Sequence, residues 1–231
     1  MHFSWLAGWS RRQSFWAGAV LLVAFVGFTI LTQPGGNRFL DNHISRISRD
    51  LATGRRYHLL SAIAPFGSPE VSIVLTAVLA IGVARAKGTW AGLGVIAAMG
   101  AMTLIEGLMR VRVADIPWND LGRFIAEPRG HHLVHSTYPS GHTARLALLS
   151  GIALATLVPV RWRLAGVLSV LLVTAWIAVQ RVAAHQHTGT DVVGGALLGW
   201  GAAFSYAWLM SATAPRWDGW LARRRTAPID P

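Results

Sequence analysis

The chain has no cysteine among its 231 residues, which excludes disulfides, thiolate nucleophiles and Cys-ligated metals at once. It has one lysine, Lys87, so the formal net charge of +11 rests almost wholly on arginine. Arginine suits bidentate phosphate binding and the anchoring of short loops beside anionic lipid. Charged residues make up only 13% of the chain, against 53% hydrophobic residues and 11 tryptophans, a composition too apolar for an ordinary soluble domain. The arginines are scattered through short segments between apolar runs, not gathered along a groove, and this speaks against nucleic acid as a partner. Asp and Glu together number ten and nowhere cluster. There is no internal repeat beyond a rough pairing of hairpins.

What remains is an all-α, polytopic membrane protein: six transmembrane helices in one bundle and an interfacial helix between spans one and two. The apolar runs fall near 15–32, 71–84, 89–109, 143–160, 164–184 and 192–210. No small-residue cleavage site follows the first run cleanly, so it reads as an uncleaved span and not as a signal peptide. Between spans one and two, Phe39, Leu40, Ile44, Ile47 and Leu51 recur at helical spacing, as in a helix lying in the interface with its apolar side down. Pro65, Gly67 and Pro69 then break the chain. The expected organisation is a cytoplasmic N-terminus over 1–14, a six-span catalytic domain over 15–210 and a basic cytoplasmic tail over 211–231, on the membrane surface or disordered. Arg11, Arg12, Arg85, Lys87, Arg161, Arg163 and the four tail arginines lie on one side, in segments almost free of acid. By the positive-inside rule that side is cytoplasmic, with both termini on it.

Two polar stretches on the opposite side carry the chemistry. Residues 181–191, RVAAHQHTGTD, hold a cation, two imidazoles and a carboxylate at the junction of two apolar runs. Polar groups at that density beside a membrane span are costly unless they pair or meet a ligand. Pro139, Ser140, Gly141 and His142 stand at a similar junction. There Ser140 can cap a helix, Gly141 allows close backbone approach to a ligand, and the free first-turn amides favour an anion. Phosphoryl transfer needs cationic donors, an in-line nucleophile and an acid for the leaving oxygen. His187, with Asp191 four residues on, fits the nucleophile, and His142 fits the general acid. Arg181, the amides around Ser140 and Gly141, and Arg110 or Arg112 would hold the phosphate.

These stretches resemble the type 2 phosphatidic acid phosphatase (PAP2) superfamily, whose signature runs K-x6-R-P, P-S-G-H, then S-R-x5-H-x3-D. The second part is matched by residues 139–142, and the third by Arg181, His187 and Asp191 at the required spacing, with Gln180 where the family has serine. The first part departs from the pattern: no lysine follows the third span, and Arg110 and Arg112 are the nearest cations, with Arg123 a further candidate. The resemblance implies a phosphohistidine on His187, a lipid phosphate substrate, and neither metal nor cofactor. The positive-inside orientation makes the site outward-facing, in what reads as a bacterial inner membrane, and that placement suggests an undecaprenyl pyrophosphate, a phosphatidylglycerol phosphate or a lipid A phosphate. Hydrolase and phosphotransferase are not separable at this level. Two other classes compete: a metal site built from His131, His135, His142, His185 and His187, and a transporter using histidines as a proton relay. The first leaves Arg181 and the arginine-rich loop 110–143 without a purpose, and the second expects polar groups at mid-span. His131, His132 and His135 read as loop packing or substrate contacts, His185 as structural, and Glu106 as the partner of a neighbouring arginine.

Overall fold

The computed structural model describes residues 10–32, 38–51, 64–113 and 138–226, with a few positions between 53 and 62; for 38, 110–113, 160 and 212–226 it describes the backbone alone. The loop histidines 131, 132 and 135 and Arg123 lie outside the described residues. So do the side chains of Arg110 and Arg112.

Among the described residues there are seven α-helices and no strand. Helix α1 (Arg11–Thr32) begins four residues before the apolar run because Ser10 and Gln13 form a reciprocal cap. The Gln13 amide donates to Ser10 Oγ (3.1 Å) and the Ser10 amide to Gln13 Oε1 (2.7 Å). Helix α2 (Arg38–Leu51) follows, then a 3-10 turn at Ala64–Gly67. Helix α3 (Pro69–Lys87) opens on a Ser68 cap with Pro69 in its first turn, and Gly88 at φ 99° ends it. Helix α4 (Thr89–Val113) returns antiparallel to α3, so closely that a β-carbon at Gly92 would lie 2.6 Å from the Ala80 carbonyl. Helices α5 (Gly141–Leu157), α6 (Arg163–Ala183) and α7 (Gly189–Thr226) complete the bundle.

Five of these segments are long and apolar enough to cross a membrane: Arg11–Thr32, Pro69–Lys87, Thr89–Met109, Arg163–Ala183 and Gly189–Ser211. Their outward residues, among them Val23, Ile30, Ile73, Val78, Leu164 and Leu172, are exposed apolar side chains of the kind lipid covers. The run expected as a further span over 143–160 is α5, which at 17 residues is about 26 Å long. It is short but central, and its first half, apart from the half-buried His142, is buried among α3, α6 and α7. Packing there depends on small residues. Gly195, Gly199 and Ala203 recur every four residues on α7, and β-carbons at the two glycines would strike the backbone carbonyls of Ser140 and Ala144. Tyr138, Leu148, Ile152, Leu198 and Tyr206 fill the core around this contact.

Two expectations change. Helix α7 continues to Thr226, so most of the basic tail extends the last span as helix instead of starting as a separate segment at 211. The apolar stripe of α2 is divided: Ile44 packs on Gly189 and Ser48 is fully buried, while Phe39, Ile47 and Leu51 are exposed. Positions 41, 44 and 48 form one helical face, and α2 lays it against α6 and α7. The antiparallel order brings the ends of α1, α4 and α6 and the starts of α3, α5 and α7 to one end of the bundle.

Candidate active site

Both motif stretches sit at that end, and a backbone hydrogen bond joins them: the Ser140 amide donates to the Asp191 carbonyl at 2.9 Å. Ser140 occupies the N-cap position of α5, but its fully buried hydroxyl does not cap the helix. Thr143 Oγ1 donates to it instead, at 3.2 Å. Pro139 and Ser140 are held down by Tyr138, whose ring stacks on Phe25 and covers Gly194. Thr29 Oγ1 donates to the Phe25 carbonyl (2.7 Å), which leaves it to accept from the Tyr138 hydroxyl (2.6 Å). Burial pushes the Tyr138 phenol above its usual range; the Thr29 bond pulls it back and the Asp191 charge adds to the rise. The phenol therefore stays neutral and serves as a donor.

Gly141 has a reason the sequence alone did not offer. A β-carbon there would strike the Glu106 carboxylate, so the group approaching this glycine most closely is a protein side chain. Glu106 in turn pairs with Arg145, whose Nη2 lies 2.9 Å from Oε2 and 3.1 Å from Oε1, with both side chains buried. Arg145 Nη1 donates to the Gly67 carbonyl at 3.2 Å. Gly67 packs directly on His142, since a β-carbon at Gly67 would lie 2.8 Å from the His142 β-carbon. At the other end of the same 3-10 turn, the Ala64 carbonyl accepts from Arg181 Nη2 at 3.4 Å. The four-residue turn Ala64–Gly67 thus contacts both motif arms, although in the sequence it reads only as a helix break.

Helix α6 ends just before the second motif histidine. The His185 amide donates to the Val182 carbonyl (3.0 Å) and the Gln186 amide to the Arg181 carbonyl (3.1 Å), with His185 at φ 55°. This is the Schellman arrangement, with a histidine where glycine is usual. His185 is exposed, so its contribution is to the turn. Arg181 is buried on the last turn of α6 and its Nη1 donates to Gln186 Oε1.

His187 and Asp191 meet, though not across a helical turn as their spacing suggests, because α7 begins only at Gly189. They meet through a cap. Asp191 Oδ2 accepts from the Thr188 amide (2.9 Å), and Thr188 Oγ1 accepts from the Asp191 amide (3.3 Å). This reciprocal pair turns the carboxylate back toward the preceding loop, where Oδ2 lies 3.4 Å from His187 Nδ1. The two groups are close without a hydrogen bond between them, and among the described residues Nδ1 has no hydrogen-bond partner. Asp41 reinforces the same terminus from α2, its Oδ1 accepting from the Thr190 amide at 2.7 Å. Asp191 therefore combines a structural role with an electrostatic one. Asp191→Asn, which keeps an acceptor oxygen, is expected to hold thermal stability within about 0.5 kcal/mol, whereas Asp191→Ala loses the cap at about 1 kcal/mol. Melting curves of the two variants measure the difference.

The remaining candidates divide by position. Arg110 and Arg112 both fall within α4, which runs on to Val113, so the two positions are about 200° apart around its axis. Gln180, in the place of the family serine, is buried, and its Oε1 lacks a hydrogen-bond partner. Among the described residues, no three His, Asp or Glu side chains converge as a metal centre would need.

The model of the PAP2 superfamily matches residues 62–214. No curated protein matches the chain. Among solved structures, the fold is similar to the first transmembrane PAP2-type phosphatidylglycerolphosphate phosphatase from Bacillus subtilis, with a TM-score of 0.66 at 18% identity, covering 86% of this chain and 98% of that one. The family match reaches from the 3-10 turn to the last span and takes in every residue of the two joined motifs, and by it this multi-pass membrane protein belongs to the PAP2 superfamily.

Proposed function

We propose that the protein is a lipid phosphatase that hydrolyses a phosphomonoester or pyrophosphate of a membrane lipid through a phosphohistidine on His187. The observation that carries this reading is the double role of Asp191, whose carbonyl ties down the Ser140 amide while its carboxylate faces His187 Nδ1. A carboxylate beside Nδ1 holds the proton on that nitrogen and leaves Nε2 as the nucleophile. Arg181 and the first-turn amides of α5 take the equatorial oxygens, and His142 protonates the leaving lipid oxygen. Water then attacks the phosphohistidine, His142 now accepting its proton. Arg110 is the favoured further phosphate ligand, because it stands nearest the end of the third span.

The substrate class follows from the site's place at one end of a membrane bundle, where a headgroup phosphate can enter while its chains remain in lipid. The similarity of fold to the Bacillus subtilis phosphatidylglycerolphosphate phosphatase makes phosphatidylglycerol phosphate the first compound to try, with undecaprenyl pyrophosphate and a lipid A phosphate beside it. The acid-free basic segments at the opposite end favour an outward-facing site in a bacterial inner membrane.

Inorganic phosphate released from this panel in detergent tests the reading. Activity is expected to persist in excess EDTA and to fall with vanadate, because arginine and amide donors supply the stabilising charge. Loss of activity with chelator and recovery with a divalent ion would overturn the mechanism. Phosphate appearing on a second lipid instead of in solution would make the enzyme a transferase.

A further inference from the structure

At the end of the bundle away from the site, a cavity of about 300 Å³ opens among α1, α5, α6 and α7. Its walls include Leu21, Leu154, Val167, Leu171, Trp200 and Phe204, and its lining is otherwise apolar except for Ser14 and Arg163. These two polar residues belong to the first turns of α1 and α6, so both line the cavity at its end away from the motif residues. Arg163 and Arg181 are 18 residues apart on α6, about 27 Å along the helix, which separates this cavity from the motif residues.

We propose that the cavity is a binding site for an anionic phospholipid, holding one acyl chain along its walls and the acidic headgroup at Ser14 and Arg163. Three observations favour this occupant. First, Ser14 is only 1% exposed, lines the cavity, and its hydroxyl has no hydrogen-bond partner among the described residues, so a buried donor there lacks an acceptor. A phosphate or ester oxygen supplies one. Second, the segments 10–14, 85–89 and 158–163 at this end hold six cations (Arg11, Arg12, Arg85, Lys87, Arg161 and Arg163) and no carboxylate. A headgroup with a negative charge is drawn to that end, and a zwitterionic one is drawn less. Third, an apolar volume of this size admits no stable water cluster, since waters need two to four polar partners each, and a hydrocarbon chain is the abundant apolar material at that depth.

The test uses the purified full-length chain, stripped of lipid in maltoside detergent, with thermal unfolding and native mass spectrometry as readouts. Dioleoylphosphatidylglycerol is expected to raise the melting temperature by roughly 5 to 10 °C and to stay bound in the gas phase at one molecule per chain. Dioleoylphosphatidylcholine should do much less, and glycerol 1-phosphate, a headgroup without chains, should do nothing. Val167→Trp fills the cavity and should abolish the increment. Arg163→Gln and Ser14→Val, which leave the walls intact, should reduce it to the phosphatidylcholine level. Arg181→Gln, at the other end, should leave it whole. Equal increments from the two lipids would overturn the proposal, as would an increment kept in Arg163→Gln but lost in Arg181→Gln, since the lipid would then be in the active site. Because these readouts do not involve turnover, the cavity can be confirmed or rejected whatever the enzyme's substrate is.

Discussion

Replacement of His187 by alanine is expected to reduce phosphate release by at least about 10⁴-fold, equivalent to about 5 kcal/mol of transition-state stabilisation. The side chain is small and lies in the loop ahead of α7, so its loss should not disturb the helix. The cap between Thr188 and Asp191 and the bond from the Thr190 amide to Asp41 involve other atoms and remain. Stability should therefore be close to that of the wild type. His187→Asn, which can mimic one ring nitrogen as a hydrogen-bonding group but cannot attack phosphorus, should be as inactive as the alanine variant. Turnover within about tenfold of wild type in either would remove His187 from the mechanism.

The second large effect concerns Glu106 and Arg145. Arg145→Met leaves a carboxylate buried against Gly141 with its strongest partner gone, and the expected loss of stability is about 3 to 5 kcal/mol. Removing both charges together, as Glu106→Leu with Arg145→Met, should recover most of that loss, because an apolar pair avoids the desolvation that the ion pair carries. Activity should not recover with it. Arg145 also holds the Gly67 carbonyl, and Gly67 packs on His142, so the double variant loses the restraint on the proposed general acid. Melting temperature and kcat measured on Arg145→Met, Glu106→Leu and the double variant separate the two roles. If the double variant regained full activity, the pair would be structural only.

The distribution of polar residues made much of this legible. Chemistry at helix termini announces itself, because Ser, Thr, Asp and Gly gather where amides and carbonyls lose their intrahelical partners. Residues 139–142 and 181–191 stand out for that reason, and the alternation of spans puts them at one end of the bundle. The pairing of Glu106 is readable in kind, since a carboxylate inside an apolar run needs a cation close by, but the choice of Arg145 is a matter of how α4 and α5 pack. Glycines do not by themselves mark close packing: on α4 Gly92 and Gly94 meet neighbours while Gly100 and Gly107 face open space, and the tightest stripe, Gly195, Gly199 and Ala203, lies on α7. Contacts across long sequence separations are not legible. Nothing in the composition of 64–67 says that one carbonyl will meet Arg181 and another Arg145, and nothing in α2 says that Asp41 will cap α7. The turn at His185 carries no glycine signal either, because a histidine occupies the left-handed position. The approach of His187 to Asp191 follows from spacing but for a different geometric reason: a capping pair brings the carboxylate back, where a helical turn was expected to carry it.

If phosphate passes through His187, the ring must carry it covalently between the two half-reactions. Wild-type enzyme mixed with a ³²P-labelled lipid phosphate, quenched in alkali within one turnover and digested, is predicted to yield a single acid-labile, alkali-stable phosphopeptide containing residues 185–191, with the added mass on His187. The label should be absent in His187→Ala and should both appear and decay more slowly in His142→Ala, which lacks the acid for the leaving oxygen and the base for the water. Inorganic phosphate released at the normal rate with no phosphopeptide at any quench time, or the label on another residue, would contradict the account.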